Sequence, residues 1–195
     1  MSDYAQYRIG VLALQGAVSE HMAQITALGA QAVAVKQVAQ LADLDALVLP
    51  GGESTAIGKL MVEYGFIDAI RTFAASGKAL FGTCAGMILL ASEIEGQSQP
   101  HLDLIAIRVR RNASGRQVSS YQADLAIKDM DAPFPAVFIR APYVSELLAD
   151  DVEVLAEVEK NNPVLVRQGN ILACSFHPEL SDDGRVMRLF LDMIG

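Results

Sequence analysis

The chain has 195 residues, 52% of them hydrophobic, and a formal net charge of −8. That length can bury a core without help from disulfides or metals and is most simply one domain over 1–195; the negative balance argues against nucleic acid or an anionic membrane as principal partner. Only two cysteines occur, so no disulfide framework is implied and a reduced, cytoplasmic setting is expected. No stretch is long and apolar enough to span a bilayer, and residues 1–4 lack the basic segment and apolar core of a signal peptide.

In chain order, residues 8–14 read as a strand, 19–28 as an amphipathic helix stopped at Gly29, and 32–35 as a short strand. His21, beside Glu20 at the helix start, reads alone as a solvated helix residue. Residues 45–49 read as a strand whose continuous apolar run after Asp45 marks burial on both faces, and they run into Pro50-Gly51-Gly52-Glu53-Ser54-Thr55. Glycines there can present bare N–H groups to a developing oxyanion, while Ser54 or Thr55 can cap the helix that follows. Helical patterns cover 55–64 and 67–75, and residues 79–81 form the next strand.

That strand leads into Phe81-Gly82-Thr83-Cys84-Ala85-Gly86 and an apolar helical run over 87–91. A cysteine at the bend between strand and helix, with glycines two residues to either side, is where a nucleophile would stand exposed above a sheet edge. It also falls at a helix start, where free N–H groups favour negative charge. Residues 92–100 and 113–120 are polar enough for loops, and His101 after Pro100 reads as structural or solvent-facing.

From 104 onward the rhythm changes: 104–110, 121–127, 136–139, 152–158, 164–167 and 171–176 read as strands with short connections. Cys174, in the apolar stretch 171–176, reads as a small buried hydrophobe. It is followed by His177-Pro178-Glu179, in which an extended backbone puts His177 and Glu179 on one face. An imidazole can take a thiol's proton while a carboxylate on its other nitrogen orients it, so Cys84, His177 and Glu179 form a candidate triad. A last helix is expected over 181–194, capped by Ser181 or Asp182. The predicted architecture is α/β: a doubly wound, mostly parallel sheet with helices on both faces and an antiparallel C-terminal extension, its ligands at the carboxyl ends of the strands.

With these motifs in place the chain resembles the class I (triad-type) glutamine amidotransferases, and within them the family of glutaminase subunits of pyridoxal 5'-phosphate synthase. The closer resemblance rests on Leu14-Gln15-Gly16-Ala17-Val18-Ser19-Glu20-His21, Gly51-Gly52-Glu53-Ser54-Thr55, Arg111-Asn112 with Gly115-Arg116-Gln117, and Phe138-Ile139-Arg140-Ala141-Pro142. It implies hydrolysis of L-glutamine to glutamate and ammonia, and delivery of the ammonia to a synthase subunit that combines it with a pentose phosphate and a triose phosphate in vitamin B6 biosynthesis. The segment around His21 is implied to lie near the contact with that subunit. Two departures from the family pattern stand out: Ser114, where an aromatic residue is usual, and Ser119-Ser120-Tyr121, where an acidic residue then Ser-Phe is usual.

The expected chemistry is attack by Cys84 on the side-chain amide, with His177 as base and then acid and Glu179 orienting it. Gly52 and Ala85 are the expected oxyanion donors, and the resemblance adds Gln15. It also assigns glutamine binding to Gly52, Glu53, Ser54, Arg111, Ile139 and Arg140, an arginine fork being suited to a carboxylate. The cluster Arg108, Arg110, Arg111 and Arg116 reads equally as a solvated strand face, except that the family motif singles out Arg111. No metal-ligand spacing and no phosphate-binding loop is present, so no metal or cofactor is expected. Alternatives are a glutaminase subunit serving another pathway, a cysteine hydrolase or peptidase on a related sheet, and a scaffold that only binds a synthase.

Overall fold

A computed structural model describes residues 3–111 and 120–195. The first half alternates strand and helix: β1 (Arg8–Leu12), α1 (Val18–Ala27), β2 (Gln31–Val35), β3 (Ala46–Leu49), α2 (Ser54–Glu63), α3 (Phe66–Ala75), β4 (Ala79–Thr83) and α4 (Ala85–Leu90). The second half is mostly strand: β5 (Ala91–Ile94), β6 (Ile105–Arg110), β7 (Ser120–Leu125), β8 (Phe134–Ile139), β9 (Tyr143–Leu147), β10 (Glu153–Glu157), β11 (Pro163–Gln168) and β12 (Ile171–Cys174), closed by α5 (Arg185–Leu191). Among the described residues no helix is long and apolar enough to cross a membrane.

A seven-stranded sheet runs β10-β11-β12-β4-β3-β1-β2. Its pairs are parallel from β2 to β12 and antiparallel from β12 to β10. The side-chain period of two sorts each strand between two cores. Leu47 and Leu49 of β3 and Leu80 of β4 pack with Ile57, Met61, Ile70 and Phe73 of α2 and α3. Their neighbours Ala46, Val48 and Phe81 pack on the other face with Ile25 of α1 and Val186, Met187 and Phe190 of α5. Helices thus cover both faces, as the alternation of elements predicts. Because β1, β3, β4 and β12 all run the same way, their carboxyl ends share one edge of the sheet.

The antiparallel extension is narrower than the sequence suggests. Only β11 and β10 extend the main sheet; β5-β6-β9 form a separate three-stranded sheet and β7-β8 a separate pair. The cause is visible in burial: β6 alternates buried and partly exposed residues through Ile105, Ile107 and Val109, so only one of its faces meets a core. Residues 91–94, expected as helix end and loop, are the strand β5, pairing in parallel with β6.

Caps differ as well. Glu53 caps α2, its carboxylate accepting from the Thr55 and Ala56 N–H groups, and Ser54 and Thr55 lie inside the first turn. α5 starts at Arg185 rather than 181, because Ser181 Oγ accepts from Asp183 N and Asp183 Oδ1 from Arg185 N, building local turns in place of a helical start.

Candidate active site

The cysteine stands at a forced bend. β4 ends at Thr83, and Cys84 adopts φ 51° and ψ −107°, a strained conformation for any residue with a Cβ, before α4 begins at Ala85. The flanking glycines exist for close approach. A Cβ on Gly82 would stand 2.5 Å from the Gly86 carbonyl oxygen, and one on Gly86 would overlap the Leu49 carbonyl of β3. The Cys84 N–H is anchored to the Cys174 carbonyl at 2.8 Å.

His177 arrives from the neighbouring strand, β12, its N–H donating to the Val137 carbonyl at 2.8 Å. The segment after it is not extended as expected: Pro178–Leu180 forms a 3₁₀ turn, with proline at its start where a missing N–H costs nothing. That turn brings the Glu179 carboxylate back to His177, Oε1 lying 2.7 Å from Nδ1. Cys84 and His177 line the same pocket, and with Nδ1 on Glu179 it is Nε2 that remains for the sulfur. Both His177 and Glu179 are buried. Burial alone would lower the imidazole's pKa, but hydrogen bonding to Cys84 and Glu179 together with their charges outweighs it and raises it from 6.5 to about 10.

Above these groups lies a pocket of about 450 Å³. Cys84, Ala85 and His177 line it with Gln15, Gly52, Glu53, Ser54, Arg111, Ile139 and Arg140. Every residue selected from the sequence is therefore present except Glu179, which stands behind His177. Ile88 and Pro142 also line it. Ile88 is signalled only by its place one helical turn after Cys84, whereas Pro142 closes the Phe138-Ile139-Arg140-Ala141-Pro142 motif without being assigned to the site from sequence.

The loop of residues 51–53 is gripped by the turn that leaves β1. Gly51 O accepts from Ala17 N at 3.0 Å, and Gln15 Oε1 accepts from Glu53 N at 2.9 Å. Gln15's amide oxygen is thus engaged with the loop, leaving its amide nitrogen as the side chain's donor. Gly51 must lack a side chain, since a Cβ there would stand 2.6 Å from His177 Cε1. Gly51→Ala is accordingly expected to push the imidazole off line and lower kcat by about 100-fold or more, with a thermal midpoint close to that of the parent. Steady-state kinetics beside a melting curve checks this.

The arginines differ in how free they are. Arg111 donates to Thr55 Oγ1 at 2.9 Å, Gln97 Oε1 at 2.7 Å and Glu53 Oε1 at 2.9 Å. Slight burial pushes the Glu53 carboxyl up, but the Ala56 and Thr55 N–H groups and Arg111 outweigh it and hold its pKa below the ordinary value. Arg140, at φ 41°, has no hydrogen bond or ion pair among the described residues. Arg108 is paired with Glu93 and Glu146, and Arg110 lies 3.5 Å from Glu95, so this face is a mixed-charge strand surface. Asn112, Ser114, Gly115, Arg116, Gln117 and Ser119 lie outside the described residues.

One further residue falls where the sequence does not put it. His21, expected in solvent, is fully buried, 3.0 Å from Thr83 Oγ1 and 3.6 Å from Glu179 Oε2. Its signal is the four-residue step to Ile25, the other buried residue of α1. Cys174 is fully buried in β12, as expected; its thiol donates to the Phe176 carbonyl, and burial pushes that thiol well above its ordinary pKa. His101 holds its loop through ring contacts at 3.0 Å to Gln99 O and 3.1 Å to Ser92 O. Among the described residues no group of His, Cys, Asp and Glu is placed to hold a metal ion.

Residues 11–195 match the model of the SNO glutamine amidotransferase family. The pyridoxal 5'-phosphate synthase subunit PdxT of Haemophilus ducreyi is 58% identical over 191 residues, covering 98% of each chain. That of Actinobacillus pleuropneumoniae serotype 3 is 57% identical over 194 residues, covering 100% of this chain and 99% of its own. A solved structure of a glutamine amidotransferase superposes with a TM-score of 0.90 at 50% identity, over 96% of this chain and 98% of that one.

Proposed function

This chain belongs to the SNO glutamine amidotransferase family, and from that membership we propose that it hydrolyses L-glutamine to L-glutamate and ammonia as the glutaminase subunit of a pyridoxal 5'-phosphate synthase, handing the ammonia to the synthase subunit. The observation that carries the reading is the line Cys84, His177, Glu179 opening into one pocket, in a chain alike over nearly its full length to PdxT subunits. The whole of 1–195 acts as one glutamine amidotransferase domain, and the two free cysteines suit the cytoplasm.

In the proposed reaction the Cys84 sulfur attacks the side-chain amide carbon. A C–S bond forms, and the carbonyl oxygen takes up negative charge facing the N–H groups of Gly52 and Ala85. His177 takes the thiol proton as the sulfur attacks and gives it to the departing nitrogen as the C–N bond breaks, and ammonia leaves. Water then attacks the γ-glutamyl thioester while His177 takes a proton from it and Glu179 stabilises the imidazolium. Cleavage of the C–S bond, with the proton held by His177 returned to the sulfur, releases glutamate and restores Cys84 and His177.

Arg140 is the fork for glutamine's own carboxylate, since its guanidinium is free among the described residues. Arg111, held by Glu53, Gln97 and Thr55, shapes the wall beside it. Glu53 and Ser54 hold the ammonium end of glutamine from the loop, and Ile88 meets its methylenes. Arg140→Ala should therefore raise KM for glutamine by about tenfold or more with a smaller change in kcat, because a carboxylate grip acts equally in ground and transition states. An unchanged KM would remove Arg140 from the substrate site.

The function is tested by ¹⁵N transfer. With amide-labelled glutamine, the chain and its synthase subunit should place ¹⁵N in the pyridoxal phosphate ring, and ammonia release by the free chain should rise when the synthase is added. Such a rise is expected because the turn holding Gln15 grips the oxyanion loop and can be moved by a partner. Failure to release ammonia from glutamine with or without the synthase, or hydrolysis of peptides and esters in its place, would overturn the reading.

A further inference from the structure

We propose that His21 is a positioning residue for the triad carboxylate: from the buried face of α1 it steadies the second oxygen of Glu179, so that α1 and the turn leading into it contact both halves of the catalytic apparatus. The inference rests on the reading of Cys84, His177 and Glu179 as a triad.

A triad carboxylate has two oxygens to place. Oε1 of Glu179 is fixed by His177 Nδ1 at 2.7 Å. Oε2 is buried with no hydrogen-bond partner among the described residues, and the ring nitrogen Nε2 of His21 faces it at 3.6 Å. The same nitrogen lies 3.0 Å from the hydroxyl of Thr83, the residue directly before Cys84. His21 Nδ1 is buried and unpartnered among the described residues.

Those contacts select the tautomer. A proton on Nδ1 would leave a buried donor unmet and turn the Nε2 lone pair toward a carboxylate, two unfavourable arrangements at once. A proton on Nε2 points between Thr83 Oγ1 and Glu179 Oε2 and leaves only a lone pair unmet. Burial pulls the His21 imidazole below its ordinary pKa, while the Glu179 charge works against that shift and His177 with it. A neutral N–H can steady Glu179 without neutralising it, so the carboxylate's charge stays available to His177. A leucine at this position would leave the buried Thr83 hydroxyl without the hydrogen bond that His21 supplies, so the imidazole has a polar role here.

The position on α1 gives that role a second consequence. The turn leading into α1 grips the oxyanion loop through Ala17 N–H to Gly51 O and Gln15 Oε1 to Glu53 N–H. His21, one turn into the same helix, touches Glu179. A shift of α1 therefore alters the oxyanion loop and the triad carboxylate together.

The test uses the full chain with its synthase subunit and the substitutions His21→Leu, His21→Gln and Thr83→Val. His21→Leu should lower kcat by about tenfold or more, the usual scale for groups that orient a catalytic side chain, with KM for glutamine within about twofold. Glutamine's amide nitrogen reaches the place of Nε2, so His21→Gln should recover most of the loss. In proton NMR the low-field His177 Nδ1–H resonance should move or broaden in His21→Leu and Thr83→Val and persist in His21→Gln. Thr83→Val, equal in shape, supplies the same readout should His21→Leu fail to fold. Parental kcat with an unmoved resonance in whichever of these two variants folds would overturn the proposal. So would equal losses in His21→Leu and His21→Gln that follow a lowered thermal midpoint. Full turnover by Cys84→Ala would instead remove the triad reading itself; with that variant inactive, a negative result bears on His21 alone.

Discussion

Cys84→Ala protein is expected to release no measurable ammonia from glutamine, a loss on the order of 10⁴-fold or more in kcat, while keeping its fold. No other sulfur in the chain can take over. Cys174 is fully buried, its thiol is pushed well above the ordinary pKa, and it donates to Phe176 O rather than to the pocket. Alanine meets the same positive φ at the bend that cysteine already tolerates, and loses one atom from a site that is 8% exposed. A change of about 1 kcal/mol or less in stability follows. Ammonia release measured beside thermal unfolding separates lost chemistry from lost fold. Retained turnover would move the nucleophile elsewhere.

Glu179→Gln carries the second large effect. The substitution keeps the shape of the side chain and removes its charge, and charge is part of what the geometry uses. Burial lowers the His177 pKa, and the hydrogen bonds and charges of Cys84 and Glu179 raise it to about 10. Without the carboxylate's charge one of the raising contributions is lost, so the imidazolium gives up its proton at a lower pH. A fall in kcat of about 10²- to 10⁴-fold is expected.

The raised His177 pKa also sets a pH window. Its bound proton stabilises the native state fully below pH 6.5, and that contribution is lost as pH rises through about 10. In the Glu179→Gln variant the upper end of this window moves toward neutral. Following the rate of Cys84 alkylation against pH in parent and variant checks the shift; identical profiles would mean that Glu179 does not govern the imidazole.

Much of this site is legible in the sequence because its chemistry is local. The glycines around Cys84 and at Gly51 announce close approaches, and each sits where a Cβ would meet another backbone or the His177 ring. The unbroken apolar run of β3 shows a strand covered on both faces. What is not legible depends on long-range pairing. The period-two pattern of β6 identifies a strand and its buried face but does not say which sheet it joins. β5 is hidden because its residues match neither a helical nor a fully apolar pattern, and they become a strand by pairing with β6.

Single side chains escape the sequence for a related reason: their partners are remote or compete locally. Glu53 rather than Ser54 caps α2 because its longer side chain reaches two N–H groups at once. His21 reads as solvated because Thr83 and Glu179, 62 and 158 residues away, are what bury it. The His177-Pro178-Glu179 segment brings its two side chains together through a 3₁₀ turn that an extended backbone does not foresee.

In the proposed reaction the Cys84 sulfur forms a bond to glutamine's side-chain carbon in the pocket it lines. A glutamine analogue bearing a chloroketone in place of the side-chain amide, followed by peptide mass spectrometry, reads out that bond. The adduct should fall on the peptide carrying Cys84, spare Cys174, and be suppressed by excess glutamine as activity is protected. An adduct confined to Cys174, or complete inactivation with Cys84 unmodified, would contradict it.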